Sequence, residues 1–337
     1  MKIKEESIIY IFSPINYGTG GPEALHQLGN VLHKLHKNVF MYYYFNDTNN
    51  SNQNVIYSEY NVPFTKNIIN DENNILIVPE TFLSPIFNQN FNRTQKLIWW
   101  LSVTNYELTL EEIKKDSKSF LYKIKQLLKP EKHPSPPTIK KLIESKANNL
   151  AHSYFSKVFL EQNNIQVIGK LTDYMNNVFK KTYQVDVKRE NQIIYNPKKN
   201  GEFLNKIIAL LPEIKWTPIT NMSPVEVAEL MNRSKLYIDF GYHPGQERMP
   251  REAILMGCCI ITGKKGSAKF YEDVPLENKF KYEDIDSNIP EIISTILECL
   301  NDFDNQIKFF ESYRKLIIDE EETFEKNVSE LFKVNSN

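Results

Sequence analysis

The sequence predicts an α/β protein built from two Rossmann-like domains, and three observations predict it. A β-branched strand, a glycine-rich loop, an amphipathic helix and a second strand follow one another at the start of the chain. The same order begins again near residue 188. The length, 337 residues, exceeds one small core and suits two domains of roughly 150 residues each.

Each element follows from local pattern. Residues 8–12 are apolar and β-branched and end in Ser13-Pro14, and the loop 16–22 contains Gly18, Gly20 and Gly21. In the helix that follows, Leu25, Leu28, Leu32 and Leu35 recur at three- and four-residue spacing, which marks one buried face. Residues 39–44 read as the second strand and the Asn-rich 46–54 as a surface loop. Short apolar runs at 75–78 and 97–101 deliver Pro79-Glu80 and residues 102–105 to one sheet edge, where ligands bind in open α/β sheets. From 110 to 146 lysines are dense, and Lys129-Pro130 and the proline run at 133–137 break the helices. This segment is either a solvated excursion or a flap that faces an acceptor or touches a membrane. Residues 151–163 read as a helix, and 166–168 and the cap-like Asp173 follow.

The second domain opens with a strand at 192–195, a loop at 196–201, a helix at 203–211 and a strand at 216–219. Ser223, Pro224 and Glu226 form a capping box with proline in the first turn. A buried strand at 236–240 leads into the most informative stretch, and long amphipathic helices follow at 289–303 and 305–332. The expected division is 1–185, with 305–337 packing back on it, and 186–304.

Composition excludes several classes. A net charge of −1 creates no global field for nucleic acid. Three cysteines, two of them adjacent in an apolar run, make neither a disulfide framework nor a zinc spacing. The N-terminus lacks a signal-peptide pattern and no apolar run approaches membrane-spanning length. The expectation is a cytoplasmic protein, at most peripheral on the inner face of a membrane through 110–146.

Chemistry concentrates between residues 236 and 268. A strand ends and a Gly/Pro loop turns; a helix starts near Met249-Pro250 and stops at Gly257; a second strand then ends in a glycine- and lysine-rich loop. Two loops from adjacent strands therefore meet at one helix N-terminus, whose unpaired N–H groups and positive dipole suit a diphosphate. Arg248, Arg251, Lys264 and Lys265 add cationic donors there; the other reading is a solvated basic face.

This block resembles the donor-site signature of GT-B glycosyltransferases, in which a loop opens a helix reading P-x-E-A-x-x-x-G. Pro250, Glu252, Ala253 and Gly257 match it. The resemblance is to the bacterial group 1 type, of the retaining branch. It implies two Rossmann-like domains facing across a cleft, with the C-terminal helix crossing back. It also implies that Glu252 accepts hydrogen bonds from the nucleotide ribose. The familiar pattern carries another glutamate eight positions earlier, against the donor sugar, where this chain has Pro244. Either Glu247 or His243 serves the sugar instead, or the donor differs from the common hexoses. Closer still is a bacterial branch with Y-N-P-K-K early in the second domain, D-F-G-x-H-P-G before the helix and G-S-A after it. Residues 195–199, 239–245 and 266–268 match that branch.

The expected donor-binding set is Asn196, Lys198, Lys199, Gly245, Glu247, Arg248, Arg251, Glu252, Lys265, Gly266 and Ser267. Gly18, Gly20 and Gly21 resemble the glycine loop of the first domain, which faces the cleft. Glu23 and His26, in the first turn of the next helix, are candidates for the general base that inverting chemistry requires; capping or surface roles are the alternative. His243 is a candidate catalytic contact to donor phosphate or sugar, against a structural histidine as the other reading. Asp284-x-Asp286 and Asp302-x-Asp304 end no recognisable strand beside a nucleotide loop and read as solvated charges, so no metal site is expected.

The expected function is metal-independent transfer of a sugar from a nucleotide donor (UDP- or GDP-linked, a substrate rather than a cofactor) to a glycan or lipid-linked acceptor. The resemblance favours retention of configuration over inversion. Bacterial surface polysaccharide synthesis is the expected setting. Three other readings stay open: a non-catalytic nucleotide- or carbohydrate-binding protein on the same shell, a sugar-nucleotide epimerase, and an NAD-dependent oxidoreductase. The last lacks the full G-x-G-x-x-G spacing, and Asp47 is the nearest residue to a ribose-binding acid.

Overall fold

A computed structural model describes residues 1–44, 56–128, 136–185, 187–199 and 201–334. The expected loop at 46–54, Asp47 and the helix-breaking residues 129–135 lie outside the described residues. The chain divides into two compact units, residues 1–173 with 323–337, and residues 174–322.

Unit 1 is a six-stranded parallel sheet in the order β2-β1-β3-β4-β5-β6. Its strands are β1 (Ile8–Pro14), β2 (Asn38–Tyr44), β3 (Ile75–Pro79), β4 (Gln95–Trp100), β5 (Asn148–Ala151) and β6 (Gly169–Lys170). The helices between them are α1 (Gly20–Lys34), α2 (Ser84–Phe87), α3 (Val103–Asp116), α4 (Phe120–Leu128), α5 (Ile139–Ser145) and α6 (Tyr154–Gln162). The predicted strands 8–12, 39–44, 75–78 and 97–101 all fall on this sheet. Residues 110–146 contain the end of α3 and the helices α4 and α5.

The core of unit 1 is aromatic, and both of its tryptophans are hydrogen-bonded. Trp99 Nε1 donates to the Leu171 carbonyl (3.1 Å) and Trp100 Nε1 to Asn149 Oδ1 (2.9 Å), so neither indole N–H is stranded by burial. β5 escaped the sequence reading because its four residues, Asn-Asn-Leu-Ala, have almost no β-propensity. Burial between β4 and β6 makes it a strand. The helix expected at 151–163 starts at Tyr154, because Ser153 and Ser156 form a reciprocal capping box there.

Unit 2 is a four-stranded parallel sheet in the order β10-β9-β7-β8. Its strands are β7 (Glu190–Tyr195), β8 (Lys215–Pro218), β9 (Ser234–Asp239) and β10 (Cys259–Thr262). The helices are α7 (Asn177–Thr182), α8 (Gly201–Leu210), α9 (Pro224–Asn232), α10 (Arg248–Leu255), α11 (Ile289–Asn301), α12 (Phe303–Gln306), α13 (Glu311–Ile318) and α14 (Glu320–Leu331). The expected capping box of α9 is formed, with Ser223 and Glu226 bonded reciprocally.

The division falls at 173/174 rather than 185/186 because Met175 and Phe179 are buried in the core of unit 2. The return to unit 1 comes at 323, within α14, rather than at 305. Residues 305–332 are not one helix: α12, a 3-10 turn, α13 and α14 succeed one another. The early part belongs to unit 2, with Phe310, Tyr313 and Ile317 in its core. The end belongs to unit 1, where a Cβ on Gly169 of β6 would lie 2.8 Å from a methyl of Leu331.

Candidate functional site

In unit 2 the chain runs from β7 outward to β8 and returns across to β9. The sheet order therefore reverses between β7 and β9, and the carboxyl ends of these two strands are where ligands bind in open α/β sheets. The loop after β7 supplies Asn196, Lys198 and Lys199, and the loop after β9 supplies residues 241–247 and then α10. Asn196 folds its loop by accepting the Lys198 N–H on Oδ1 (3.0 Å), and its Nδ2 lies 3.4 Å from Met249 Sδ. Gly241 has no room for a side chain: a Cβ would stand 2.7 Å from Lys199 Cβ and 2.8 Å from Asp239 Oδ1. The two loops therefore touch at this glycine.

A buried polar cluster anchors them. Asp239, the last residue of β9, is fully buried; its Oδ1 accepts the Gly241 N–H (2.8 Å) and its Oδ2 the Tyr237 hydroxyl (3.0 Å). His243 is also fully buried, with Nε2 3.5 Å from Asp239 Oδ2, an ion-pair separation at the outer limit of a hydrogen bond. Burial alone would raise the Asp239 carboxyl. His243, Lys199 and the Gly241 N–H outweigh it and hold the group below its ordinary value. Burial first, and then the neighbouring carboxylates, push the Tyr237 hydroxyl well above its ordinary value, so it stays a donor.

The loop after β10 closes the cluster from the other side. The His243 N–H donates to the Lys265 carbonyl (3.4 Å), the Ser267 N–H donates to the His243 carbonyl (2.9 Å), and Ser267 Oγ bonds the Gly245 carbonyl. Gly266 has φ +62°, and a Cβ there would stand 2.0 Å from the His243 carbonyl oxygen, so glycine alone fits. The Gly245, Gly266 and Ser267 motif residues are thus brought together, in a structural seam between two loops.

The structure disposes the expected cations unequally. Lys199 Nζ pairs with Glu247 Oε2 at 2.5 Å, across the first turn of α10. Lys265 pairs with Asp284, which gives that aspartate a partner, and Lys206 likewise holds Asp286 at 2.7 Å. Arg251 is buried, and its guanidinium pairs with Glu320 of α14 at 3.0 Å, which ties α10 to α14. Arg248 and Glu252 are half-buried on α10, and Lys198 is exposed. The His243 side chain, a candidate catalytic contact in the sequence, has no exposed surface and faces Asp239.

In unit 1 both candidate bases are buried and hydrogen-bonded. His26 is buried, with Nδ1 2.6 Å from the Pro22 carbonyl and Nε2 3.0 Å from the Tyr43 hydroxyl. Desolvation lowers it to about 4, so it is a neutral structural histidine. Glu23 is buried and accepts the Tyr60 hydroxyl at 2.7 Å. Gly20 and Gly21 are the first residues of α1; a Cβ on Gly18 or Gly21 would meet only ordinary contacts, so space does not require glycine at either.

Sequence reasoning gave no role to Asp239 or Tyr237, which sat inside an apolar strand. The signal was there: a lone aspartate ending an otherwise apolar strand at a sheet edge. Glu80 is a similar case, buried at the end of β3 and accepting the Leu101 N–H at 2.8 Å.

No protein-family model and no curated protein sequence matches the chain. Solved structures do. HepE of Anabaena, solved with UDP and glucose, superposes with a TM-score of 0.64 at 11% identity, over 98% of this chain and 100% of its own. Sucrose-phosphate synthase from Thermosynechococcus elongatus gives 0.62 at 12% identity, over 97% and 98%. A glycosyltransferase from Rickettsia africae gives 0.57 at 15% identity, over 98% and 99%. These likenesses show the fold, two Rossmann-like domains of the GT-B type.

Proposed function

We propose that the chain is a glycosyltransferase that binds a nucleoside diphosphate sugar in the β7/β9 crevice of unit 2 and transfers the sugar to a glycan or lipid-linked acceptor. The observation that carries this reading is the convergence of the Asn196–Lys199 loop, the Gly241–Glu247 loop and the N-terminus of α10 at that crevice. HepE, which shares the fold, has been solved with UDP and glucose and with UDP-glucose, which supports a UDP-linked donor here. Glu252 on α10 would accept the ribose hydroxyls. Lys198, Lys199, Arg248 and the α10 dipole would stabilise the departing diphosphate, an electrostatic route that needs no metal. Retention of configuration is the reading we favour. Inversion needs a general base on the acceptor side, and the bonded, buried His26 and Glu23 are poorly suited to that.

Thermal-shift titration with UDP, GDP, CMP, ADP and NAD, repeated on Glu252→Ala, tests the donor site. A single nucleoside diphosphate at 100 times its Kd should stabilise by about 2.7 kcal/mol, and the variant should lose that shift. A shift with NAD alone would sink the reading.

We further infer a cytoplasmic enzyme that meets the inner face of a membrane through α4. Leu121, Ile124, Leu127 and Leu128 are exposed on this helix beside Lys125, an amphipathic pattern suited to an interface. Leu121→Asp with Leu127→Asp should abolish co-sedimentation with anionic vesicles; equal binding by wild type and variant would exclude α4.

A further inference from the structure

The proposed donor site contains its own negative charge. Lys199 comes from the loop after β7, and Glu247 is the residue that caps the N-terminus of α10. Their side chains are 27% and 16% exposed and meet at 2.5 Å. The Glu247 carboxylate makes no capping hydrogen bond to its own helix and pairs with the lysine instead. The ammonium is placed by packing as well as by charge, because Lys199 Cβ rests directly against Gly241. A carboxylate at a helix N-terminus, paired with a lysine from the neighbouring loop, has the charge pattern of a bound phosphate in that position.

We propose that Glu247 is an electrostatic latch on the donor site: it holds Lys199 when no donor is present and must release it for a nucleotide diphosphate to bind. This rests on the assignment of the β7/β9 crevice as the donor site. A diphosphate brought to the α10 N-terminus meets the Glu247 carboxylate at close range, and like charges there oppose binding. Lys199 changes partner from carboxylate to phosphate, and Glu247 turns to solvent or to the sugar hydroxyls. The latch keeps the crevice from being an open cationic pocket that any free phosphate could occupy. It also sets a charge rule for the donor. A sugar bearing a carboxylate would face Glu247 unfavourably, whereas a neutral sugar would not.

The test is calorimetric titration of UDP, and separately of inorganic phosphate, into the full chain and into Glu247→Gln, Lys199→Met and the double variant. Circular dichroism melting of each variant establishes that it is folded. Gln keeps the size of Glu and removes the charge. Glu247→Gln should bind UDP about fivefold more tightly, the scale of one partly exposed ion pair. It should also gain measurable affinity for inorganic phosphate. Lys199→Met should weaken UDP binding, and adding Glu247→Gln to it should recover less than the single variant gains, since the pair is then already broken. UDP binding by wild type that is unchanged or weakened in Glu247→Gln overturns the latch and leaves the donor site standing. Silence from UDP in wild type and Glu247→Gln alike overturns the donor-site assignment, and the latch with it.

Discussion

Two buried groups in unit 1, His26 and Glu80, are shifted by burial in opposite senses, and each contributes to the pH dependence of stability. His26 has its folded value lowered from 6.5 to about 4 by desolvation. Between those values the unfolded chain holds the extra proton, so stability is present above pH 6.5 and is lost as pH falls toward 4. The loss at pH 5 is on the order of 2 kcal/mol. Glu80 is the reverse case, raised from 4.5 to about 8 by desolvation that its backbone N–H partners only partly offset. There the folded chain holds the extra proton, so stability is present below pH 4.5 and is lost as pH rises through 8. Glu80→Gln, which keeps an oxygen for the Leu101 N–H, should raise the melting temperature at pH 8 and lose that advantage by pH 5. His26→Gln should flatten the acid limb between pH 6.5 and 4. Melts across this range, with slopes unchanged in either variant, would show that the two groups do not titrate as their burial implies.

At the scale of elements, the loops of the proposed donor site are held by backbone hydrogen bonds and close packing as well as by side-chain charge. The seam between the loops after β9 and β10 runs through His243, Gly266 and Ser267, and it tolerates nothing larger than hydrogen at Gly266. Gly266→Ala should therefore cost several kcal/mol, because φ +62° disfavours a side chain and the added carbon overlaps the His243 carbonyl. Its melting temperature should fall and nucleotide binding should be lost with it; a variant that melts and binds like wild type would mean the seam opens freely. The same logic applies at Gly257, which ends α10 with φ +77°. Arg189 Nη2 donates to the Met256 carbonyl at 2.7 Å, and Nη1 donates to those of Ser234 at 2.7 Å and Met231 at 3.3 Å. This one guanidinium closes the C-terminal ends of α9 and α10. A Cβ on Gly257 would stand 2.5 Å from it, so the glycine makes room for the arginine as well as for the turn.

At the scale of the whole molecule, each unit keeps its own core and sheet, and the chain leaves unit 1 at residue 173 and returns at 323. The switch within α14 shows in its side chains. Glu320 and Glu321 pair with Arg251 and Lys180 of unit 2, at 3.0 Å in each case. Further along, Glu325 reaches Lys34 of unit 1 at 3.4 Å.

Sequence alone determined the parts whose physics is local. Apolar β-branched runs specified β1, β3, β4, β7, β9 and β10, the serine capping box specified the start of α9, and glycine after an apolar strand marked the turns at 241 and 266. It also indicated where loops and a helix N-terminus would converge, because strand–loop–helix order places helix N-termini at the carboxyl ends of parallel strands. Only the tertiary structure decided what each charged residue does. Nothing in the spacing of Arg251 distinguishes a phosphate ligand from a buried tie to Glu320, which lies 69 residues away along the chain. Nor does the placement of His26 or Glu23 in a first helical turn tell of Tyr43 and Tyr60, which bury and bond them. Pattern repeats over a few residues, so it is legible from a window of sequence. The fate of a charge depends on the groups that folding brings within a few ångströms of it, and those come from anywhere in the chain.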